Sequence, residues 1–179
     1  AQPFQRVRFD GDQWRFRGIN PFLESWEEMD SPLPVPDLPE PLPASAPVGY
    51  TVDYPSGAEA FLDRLIAPDW RGLIVIFDYG LPWETMIHER PHGTARTYFR
   101  HQAGSDFWQA PGEQDITHHL AWDFLEDRLR KRGFHDIRLE RQEAFFMNHA
   151  RSEIAAILES AGNRFSQEKQ ELSALIHPQ

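Results

Sequence analysis

The sequence predicts an α/β protein, and three observations support that class. Residues 72–77 are apolar without interruption, which is typical of a strand covered on both faces of a parallel sheet. Apolar residues recur at helical spacing before this run, over residues 56–66, and after it, over residues 115–132. A second predicted strand and further helices follow, so strands and helices alternate along the chain.

The first part of the chain contains a hairpin signal and a proline-rich loop. Residues 6–9 and 13–16 alternate apolar and polar, and the Asp-Gly pair between them tolerates the positive φ angles of a tight turn. Residues 31–47 contain seven prolines, which predict an extended stretch serving as a covering loop or as a docking ligand. We therefore divide the chain into three parts: a β-hairpin and connection (1–30), a Pro-rich loop (31–49) and an α/β portion (50–179).

A first helix is predicted directly before the apolar run. Ser56 and Glu59 have the spacing of a capping box, in which each side chain bonds to a backbone N–H group of the first turn. One helical face then carries the apolar side chains Ala58, Phe61, Leu62, Leu65 and Ile66. Pro68 and Gly72 end the helix and introduce the strand.

The second half of the chain alternates again. A helix fits residues 115–132, with Asp115 or Thr117 as its N-cap. Residues 134–141 place apolar and charged side chains in alternation, which predicts a strand. The last two predicted helices span residues 150–161 and the segment with Leu172, Leu175 and Ile176.

Composition excludes several classes of protein. The chain has 179 residues, a formal net charge of −10 and no cysteine, so disulfides and thiolate metal sites are excluded. The acidic balance argues against a surface for nucleic acid, which needs a basic stripe. No apolar run approaches the roughly 20 residues that cross a bilayer, so we expect a cytoplasmic protein without a membrane partner.

The number of predicted strands is small for a parallel sheet. A strand buried on both faces needs a neighbour on each side, and the sequence offers one further core strand and a hairpin. Either the sheet is unusually small, or strands are supplied from outside these 179 residues. We favour the second interpretation and expect another polypeptide segment, or a homo-oligomer, to complete the sheet.

Three polar blocks follow the apolar run in order. They are Asp78-Tyr79-Gly80, then residues 93–101 (Gly-Thr-Ala-Arg-Thr-Tyr-Phe-Arg-His), then residues 111–119 (Pro-Gly-Glu-Gln-Asp-Ile-Thr-His-His). In this order and spacing they resemble the MidA-type methyltransferases, the S-adenosylmethionine-dependent family that includes the mitochondrial complex I assembly methyltransferase. The match extends more weakly over the rest of the chain.

The resemblance implies a Rossmann-like class I methyltransferase fold, of which this chain is the C-terminal half. It also implies S-adenosylmethionine as cofactor and N-methylation of arginine in a protein substrate. The family's glycine-rich nucleotide loop lies upstream of the matching part, and this chain contains no Gly-x-Gly-x-Gly. The cofactor-binding residues are therefore unknown, the missing N-terminal half is an expected partner, and we expect the 179 residues alone to be inactive.

The candidate site residues come from the three blocks. Candidate catalytic residues are Asp78, His101 and Asp115. Candidates for binding substrate or shaping the site are Tyr79, Gly80, Tyr98, Arg100, Pro111, Gly112, Thr117 and His119. His118 and His119 would point about 100° apart on a helix, unlike the i, i+4 pairs of zinc helices, so we expect no metal site.

Each candidate also has a structural interpretation. Asp78 would orient a substrate nitrogen or shape its own turn, and His101 would accept a proton near neutral pH. Asp115 would act on substrate or cap a helix. Arg100 would bind a carboxylate, or pair with Asp106 or Glu113 of its own loop.

A non-catalytic function is the alternative. The chain would then be a binding or assembly module derived from the methyltransferase fold, with the polar loop as its recognition surface. The absent glycine-rich loop favours this alternative, as does Ala121, which stands where the family pattern has an acid.

Overall fold

The computed structural model describes residues 3–19, 28–30, 42–69, 71–159 and 166–176. Its elements in chain order are β1 (Gln5–Phe9), β2 (Trp14–Ile19), β3 (Glu28–Asp30), β4 (Thr51–Tyr54), α1 (Ser56–Leu65), β5 (Gly80–Leu81), α2 (Trp83–Glu89), β6 (Arg96–Phe99), β7 (Gln102–Gly104), β8 (Asp115–Thr117), β9 (Leu120–Ala121), α3 (Trp122–Lys131), α4 (Gln142–His149), α5 (Arg151–Glu159) and α6 (Gln167–Ile176). This mixture confirms the α/β class.

The chain divides into two compact units, Ala1–His135 and Asp136–Gln179. In the described ranges, no helix has the length and apolar character needed to cross a membrane.

The predicted N-terminal hairpin is confirmed and belongs to an antiparallel sheet with the strand order β3-β2-β1-β4. Its alternating sequence separates two faces: Val7 and Phe9 of β1 are buried on one, and arginines occupy the other. The connection and most of the Pro-rich loop, residues 20–27 and 31–41, lie outside the described residues.

Two apolar clusters hold the first unit together. One joins the inner face of the antiparallel sheet to α2 and α3, and its buried members are Val7, Val52, Tyr54, Trp83, Met86, Ile87, Ala121 and Phe124. The other packs α1 against β9 and α3, and its buried members are Ala58, Leu62, Ile66, Leu120 and Leu125. Fully buried side chains such as Trp83 each contribute several kcal/mol, roughly 3–5 if removed.

The first predicted helix is confirmed as α1, but the predicted capping box is wrong. The helix begins after Pro55, and no side chain caps its first turn. Glu59 is buried, where its carboxylate accepts the Tyr54 hydroxyl and pairs with Arg128 of α3. The acid therefore links α1 to α3, because a buried carboxylate needs partners for its oxygens.

The predicted buried strand over residues 72–77 is wrong for the chain taken alone. This segment has no regular strand, and pairing begins only at Gly80–Leu81, which lies parallel to β9. Leu73 is 85% exposed and Phe77 is 51% exposed, whereas Ile74 packs against the second apolar cluster. A strand forms only where a neighbour accepts its backbone hydrogen bonds, and no strand of the described chain lies beside this run.

The helix predicted to begin at Asp115 begins later. α3 starts at Trp122, and Asp115–Thr117 form β8, so neither Asp115 nor Thr117 is a helix N-cap. β8 pairs with β6, with Ile116 opposite Thr97. β-branched residues fit such a ladder well, and the pairing across strands prevails over local capping.

The described part of the second unit is helical. The strand predicted over residues 134–141 is wrong: this segment is irregular, and Asp136 has a φ of 56°, which interrupts an extended backbone. The last two predicted helices are confirmed as α5 and α6. α4 was not predicted, because its apolar residues do not form one helical face.

Candidate functional site

A buried carboxylate fixes the loop between α2 and β6. Asp53 of β4 is 1% exposed and accepts the backbone N–H groups of Thr94 (2.7 Å) and Ala95 (2.8 Å), together with two N–H groups of the Arg6 guanidinium (2.7 and 3.1 Å). A Cβ on Gly93 would lie 2.3 Å from Asp53 Oδ2, and the φ of Gly93 is +70°. Only glycine fits this approach, so Gly93, which begins the second polar block, is a structural requirement.

Arg100 and His101 make the turn of the hairpin formed by β6 and β7. Phe99 pairs with Gln102, so these two residues are the whole turn. Their φ values are 50° and 65°, and two positive φ angles are typical of a type I′ turn, where asparagine and glycine are favoured. A non-glycine residue in the left-handed region costs roughly 1–2 kcal/mol. Such strain is concentrated at functional sites, which makes the tip of this hairpin a candidate.

A cavity of about 500 Å³ opens beside this turn. Its lining residues are Tyr98, Arg100, His101, Glu113 and Asp115. Tyr98 and Asp115 are partners across the β6–β8 ladder. Glu113 follows a turn centred on Pro111-Gly112, in which the Glu113 N–H donates to the Ala110 carbonyl at 3.0 Å. The cavity thus combines two carboxylates with a guanidinium, an imidazole and a phenol.

A second group of predicted residues surrounds the turn Asp78-Tyr79-Gly80. The Asp78 carboxylate accepts the Tyr79 N–H at 2.9 Å, which agrees with the turn-shaping interpretation of Asp78. A Cβ on Gly80 would lie 2.4 Å from the Leu120 carbonyl oxygen. Glycine is therefore needed where β5 approaches β9.

His119 lies beside the same turn. Its ring meets the Tyr79 ring edge-on, with 5.6 Å between ring centroids, and its backbone N–H donates to the Thr94 hydroxyl at 3.2 Å. Its Nδ1 atom is buried and has no hydrogen-bond partner in the described structure. Burial lowers the pKa of His119 below its ordinary value, neighbouring guanidinium groups lower it further, and Asp78 opposes them. The imidazole is therefore neutral at pH 7 and able to accept a proton.

The structure separates the predicted site residues into two groups within the first unit. The cavity group contains Tyr98, Arg100, His101 and Asp115, supported by the Pro111-Gly112 turn. The turn group contains Asp78, Tyr79, Gly80 and His119, and Thr117 ends β8 two residues before His119. Arg100 forms no ion pair with a described Asp106 or Glu113; its guanidinium lies 5.0 Å from the Phe99 ring centroid.

Two acids of the site were not predicted as site residues. Glu113 lines the cavity, and Asp53 holds the loop that leads into β6. An acid within the otherwise uncharged strand Val52-Asp53-Tyr54 was the available signal, because a buried carboxylate needs several donors. Among the described side chains, no group of three His, Asp or Glu residues is arranged to hold a metal ion.

Comparisons with known proteins place this geometry in context. A protein-family model described as "Putative S-adenosyl-L-methionine-dependent methyltransferase" matches residues 1–138. Two crystal structures from Burkholderia thailandensis share the fold, each at 24% identity over 98% of this chain. The first is a native structure of an uncharacterized protein, with a TM-score of 0.81 and 48% of its chain covered. The second belongs to the same superfamily, is described as a "likely methyl transferase" and is bound to S-adenosyl-homocysteine, with a TM-score of 0.80 and 46% of its chain covered.

The chain therefore spans about half the length of the solved structures that it matches. The comparison with curated proteins gave no match.

Proposed function

The chain belongs to the family described as "Putative S-adenosyl-L-methionine-dependent methyltransferase", and we propose that it forms the target-binding, C-terminal half of a Rossmann-like enzyme of that kind. One observation carries the proposal: the exposed apolar segment 72–77 leads directly into Asp78-Tyr79-Gly80, beside the neutral imidazole of His119. In open α/β sheets, ligands bind beyond the carboxyl ends of the parallel strands, and this turn would follow such an end once residues 72–77 pair with strands from a further segment.

A further polypeptide segment completes the sheet in this proposal. The apolar segment and the residue after its acid expose five large side chains: Leu73, Val75, Ile76, Phe77 and Tyr79. Monomeric proteins rarely leave a contiguous apolar patch of this kind uncovered unless it binds something, and an unpaired extended segment offers its N–H and C=O groups to another strand. The missing N-terminal half, or another chain, supplies those strands and the glycine-rich loop that this sequence lacks.

The residues of this chain suit the target side of the reaction. When bound, S-adenosylmethionine supplies a methyl group that is already activated, so the protein has to align the target nitrogen, exclude water and receive a proton. Asp78 orients the target, and the unpartnered Nδ1 atom of His119 accepts the proton.

The proposed target is an arginine side chain of a protein substrate. The carboxylates of Glu113 and Asp115 line a cavity of about 500 Å³ apart from the turn at Asp78, and they bind a further basic side chain of the same peptide through paired, charge-assisted hydrogen bonds. Arg100 and His101 form the rim of that cavity at the hairpin turn and contact the peptide that carries the target.

The proposal is tested with the longest natural form of the protein. Titration calorimetry with S-adenosylmethionine, followed by transfer of a labelled methyl group to cellular proteins, should show binding and transfer. His119→Gln should lower the rate of transfer by about 100-fold, a common contribution of a positioned base. Asp69→Asn, at an exposed site of the same unit, is the control and should leave the rate unchanged. No cofactor binding and no transferred methyl group would refute the enzymatic proposal.

A non-catalytic assembly module is the second candidate, and the same exposed apolar segment favours it. Capture of one stable partner by the longest natural form, without any methylation of that partner, would support this alternative. Methylation abolished by His119→Gln would exclude it.

A further inference from the structure

The backbone of His119 is held on both sides by hydrogen bonds. Its N–H group donates to the Thr94 hydroxyl at 3.2 Å, and its carbonyl oxygen lies 3.1 Å from His118 Nδ1. A carbonyl oxygen only accepts, so Nδ1 of His118 is the donor in this contact. The next residue, Leu120, donates its N–H to the Tyr79 carbonyl at 3.1 Å. The main chain is therefore fixed before and after the imidazole.

Thr94 is anchored in turn to the antiparallel sheet. It is 4% exposed, and its own N–H group donates to the buried Asp53 carboxylate at 2.7 Å. That carboxylate also accepts the Ala95 N–H and binds the Arg6 guanidinium. A β-branched side chain has few rotamers, so a fixed Thr94 backbone also fixes the position of its hydroxyl. A chain of hydrogen bonds thus runs from Asp53 through Thr94 to His119.

The loop itself does not require a hydroxyl at position 94. Valine has nearly the volume of threonine and would keep the backbone N–H that bonds Asp53. What the hydroxyl adds is an acceptor for the backbone N–H of His119. A function for the threonine must therefore be sought at His119.

We propose that Thr94 is a positioning residue for the proton acceptor: its hydroxyl keeps the imidazole of His119 edge-on to the Tyr79 ring, beside Asp78. The inference rests on the proposed function, in which the target nitrogen loses a proton to the lone pair of His119 Nδ1. That atom is buried and bonds no other group of the described structure, so hydrogen bonds to its own ring nitrogen do not orient the imidazole. The backbone contact with Thr94 does so instead.

The charged and titratable groups that face the imidazole are Arg90, Arg96, Asp78 and the neighbouring His118. Burial lowers the pKa of His119 more than any of these groups does. An imidazole that left its place would become hydrated, and its pKa would return toward the ordinary value. The pKa of His119 therefore reports its position without any need for methyl transfer.

NMR titration of the ring protons of His119 in the 179-residue chain is the first test. The spectrum of His119→Gln identifies the signal. Thr94→Val should raise the pKa of His119, whereas Thr94→Ser, which keeps the acceptor oxygen, should leave it unchanged. Thr97→Val is the matched control, because it removes a hydroxyl that is 3% exposed from β6, and it should also leave the pKa unchanged.

Methyl transfer by the longest natural form is the second test. Thr94→Val should lower kcat by about tenfold, because a misplaced base loses much of its contribution, and should leave the KM for S-adenosylmethionine unchanged. Thr94→Ser should restore most of the rate. In a His119→Gln background Thr94→Val should cause no further loss, since residues that act through one another are not additive.

Either of two results would overturn the proposal. One is a pKa of His119 that stays unchanged in Thr94→Val or rises equally in Thr97→Val, and the other is an equal loss of rate with and without His119. Thr94→Ala, which also lacks the hydroxyl, replaces Thr94→Val if circular dichroism shows that the valine variant does not fold. If the unmodified long form transfers no methyl group, the proposed function fails, and the titration alone decides whether Thr94 holds the imidazole.

Discussion

Two sequences of this chain favour a β-strand, but only one of them forms one. In the antiparallel sheet, Val7 pairs with Val52, and both side chains are at most 1% exposed. In the apolar segment 72–77, Leu73 is 85% exposed and Val75 is 46% exposed, although its composition favours a strand at least as strongly. The difference lies in neighbours rather than in propensity: the first sequence has described strands on both sides, and the second has none. A sequence of high strand propensity therefore forms a strand only where another strand accepts its backbone hydrogen bonds.

The largest expected effect comes from a matched pair of leucines. Leu62→Ala, in the buried cluster of α1, should lower the free energy of unfolding by about 2–5 kcal/mol, because it opens a cavity among packed side chains. Leu73→Ala removes the same atoms from the exposed segment and should change it by less than about 0.5 kcal/mol. Urea denaturation of the 179-residue chain measures both.

Equal losses for the two variants would break the comparison, since they would mean that the apolar segment is covered when the chain is alone in solution. In the longest natural form we expect Leu73→Ala to lower the free energy of unfolding by more than it does in the 179-residue chain. That increase would indicate that the added polypeptide covers the segment.

The loop between α2 and β6 is held on the antiparallel sheet by the buried carboxylate of Asp53. Gly93→Ala tests how much this contact contributes to stability. The new Cβ would meet the Asp53 carboxylate at 2.3 Å and would adopt a φ of +70°, so we expect a loss of about 2–3 kcal/mol. Gly112→Ala is the control: its φ of +83° imposes similar strain, but nothing lies within 4 Å of the new Cβ. Its loss should be about 1 kcal/mol. Urea midpoints that fall equally would show that backbone strain, and not the carboxylate, decides the cost at Gly93.

The parts of the fold that the sequence predicted are those governed by local patterns. The hairpin, α1, α5 and α6 follow from alternation, helical spacing and turn residues. The errors arise where distant partners decide. Asp115–Thr117 became a strand because β6 lies beside it, and residues 72–77 stayed irregular because no described strand does.

The candidate site shows the same division. The three polar blocks identified Asp78, Arg100, His101 and His119, but no sequence pattern indicates that they fall into two groups, or that Asp53 holds their loop from another strand. The strain at the hairpin turn could not be predicted either. Arg100-His101 lacks the asparagine or glycine by which a type I′ turn is usually recognised.

The turn Arg100-His101 differs from both sequences compared above. It joins two paired strands, but its own backbone is strained. Replacing Arg100 with Asn and His101 with Gly together should stabilise the chain by about 1 kcal/mol, because both new residues tolerate a positive φ. The same double variant should bind a target peptide more weakly in the longest natural form. Arg71→Asn, an exposed arginine outside the turn, is the control and should leave the unfolding free energy unchanged. A destabilised double variant would show that these side chains stabilise the hairpin.

The smallest expected effect concerns His119, which lies beside the end of the open segment. Its pKa is lowered in the folded chain, chiefly by burial, whereas the unfolded histidine titrates near its ordinary value of about 6.5. The unfolded state therefore binds the proton more readily, so His119 stabilises the fold above about pH 6.5, and this contribution is lost as the pH falls through the lower folded pKa. Urea midpoints at pH 7.5 and 5.5 should differ less in His119→Gln than in the unmodified chain, while the exposed His135→Gln should retain the original difference. An unchanged difference in His119→Gln would mean that the imidazole is hydrated in solution. The side chains beside the turn at Asp78 would then be exposed to water.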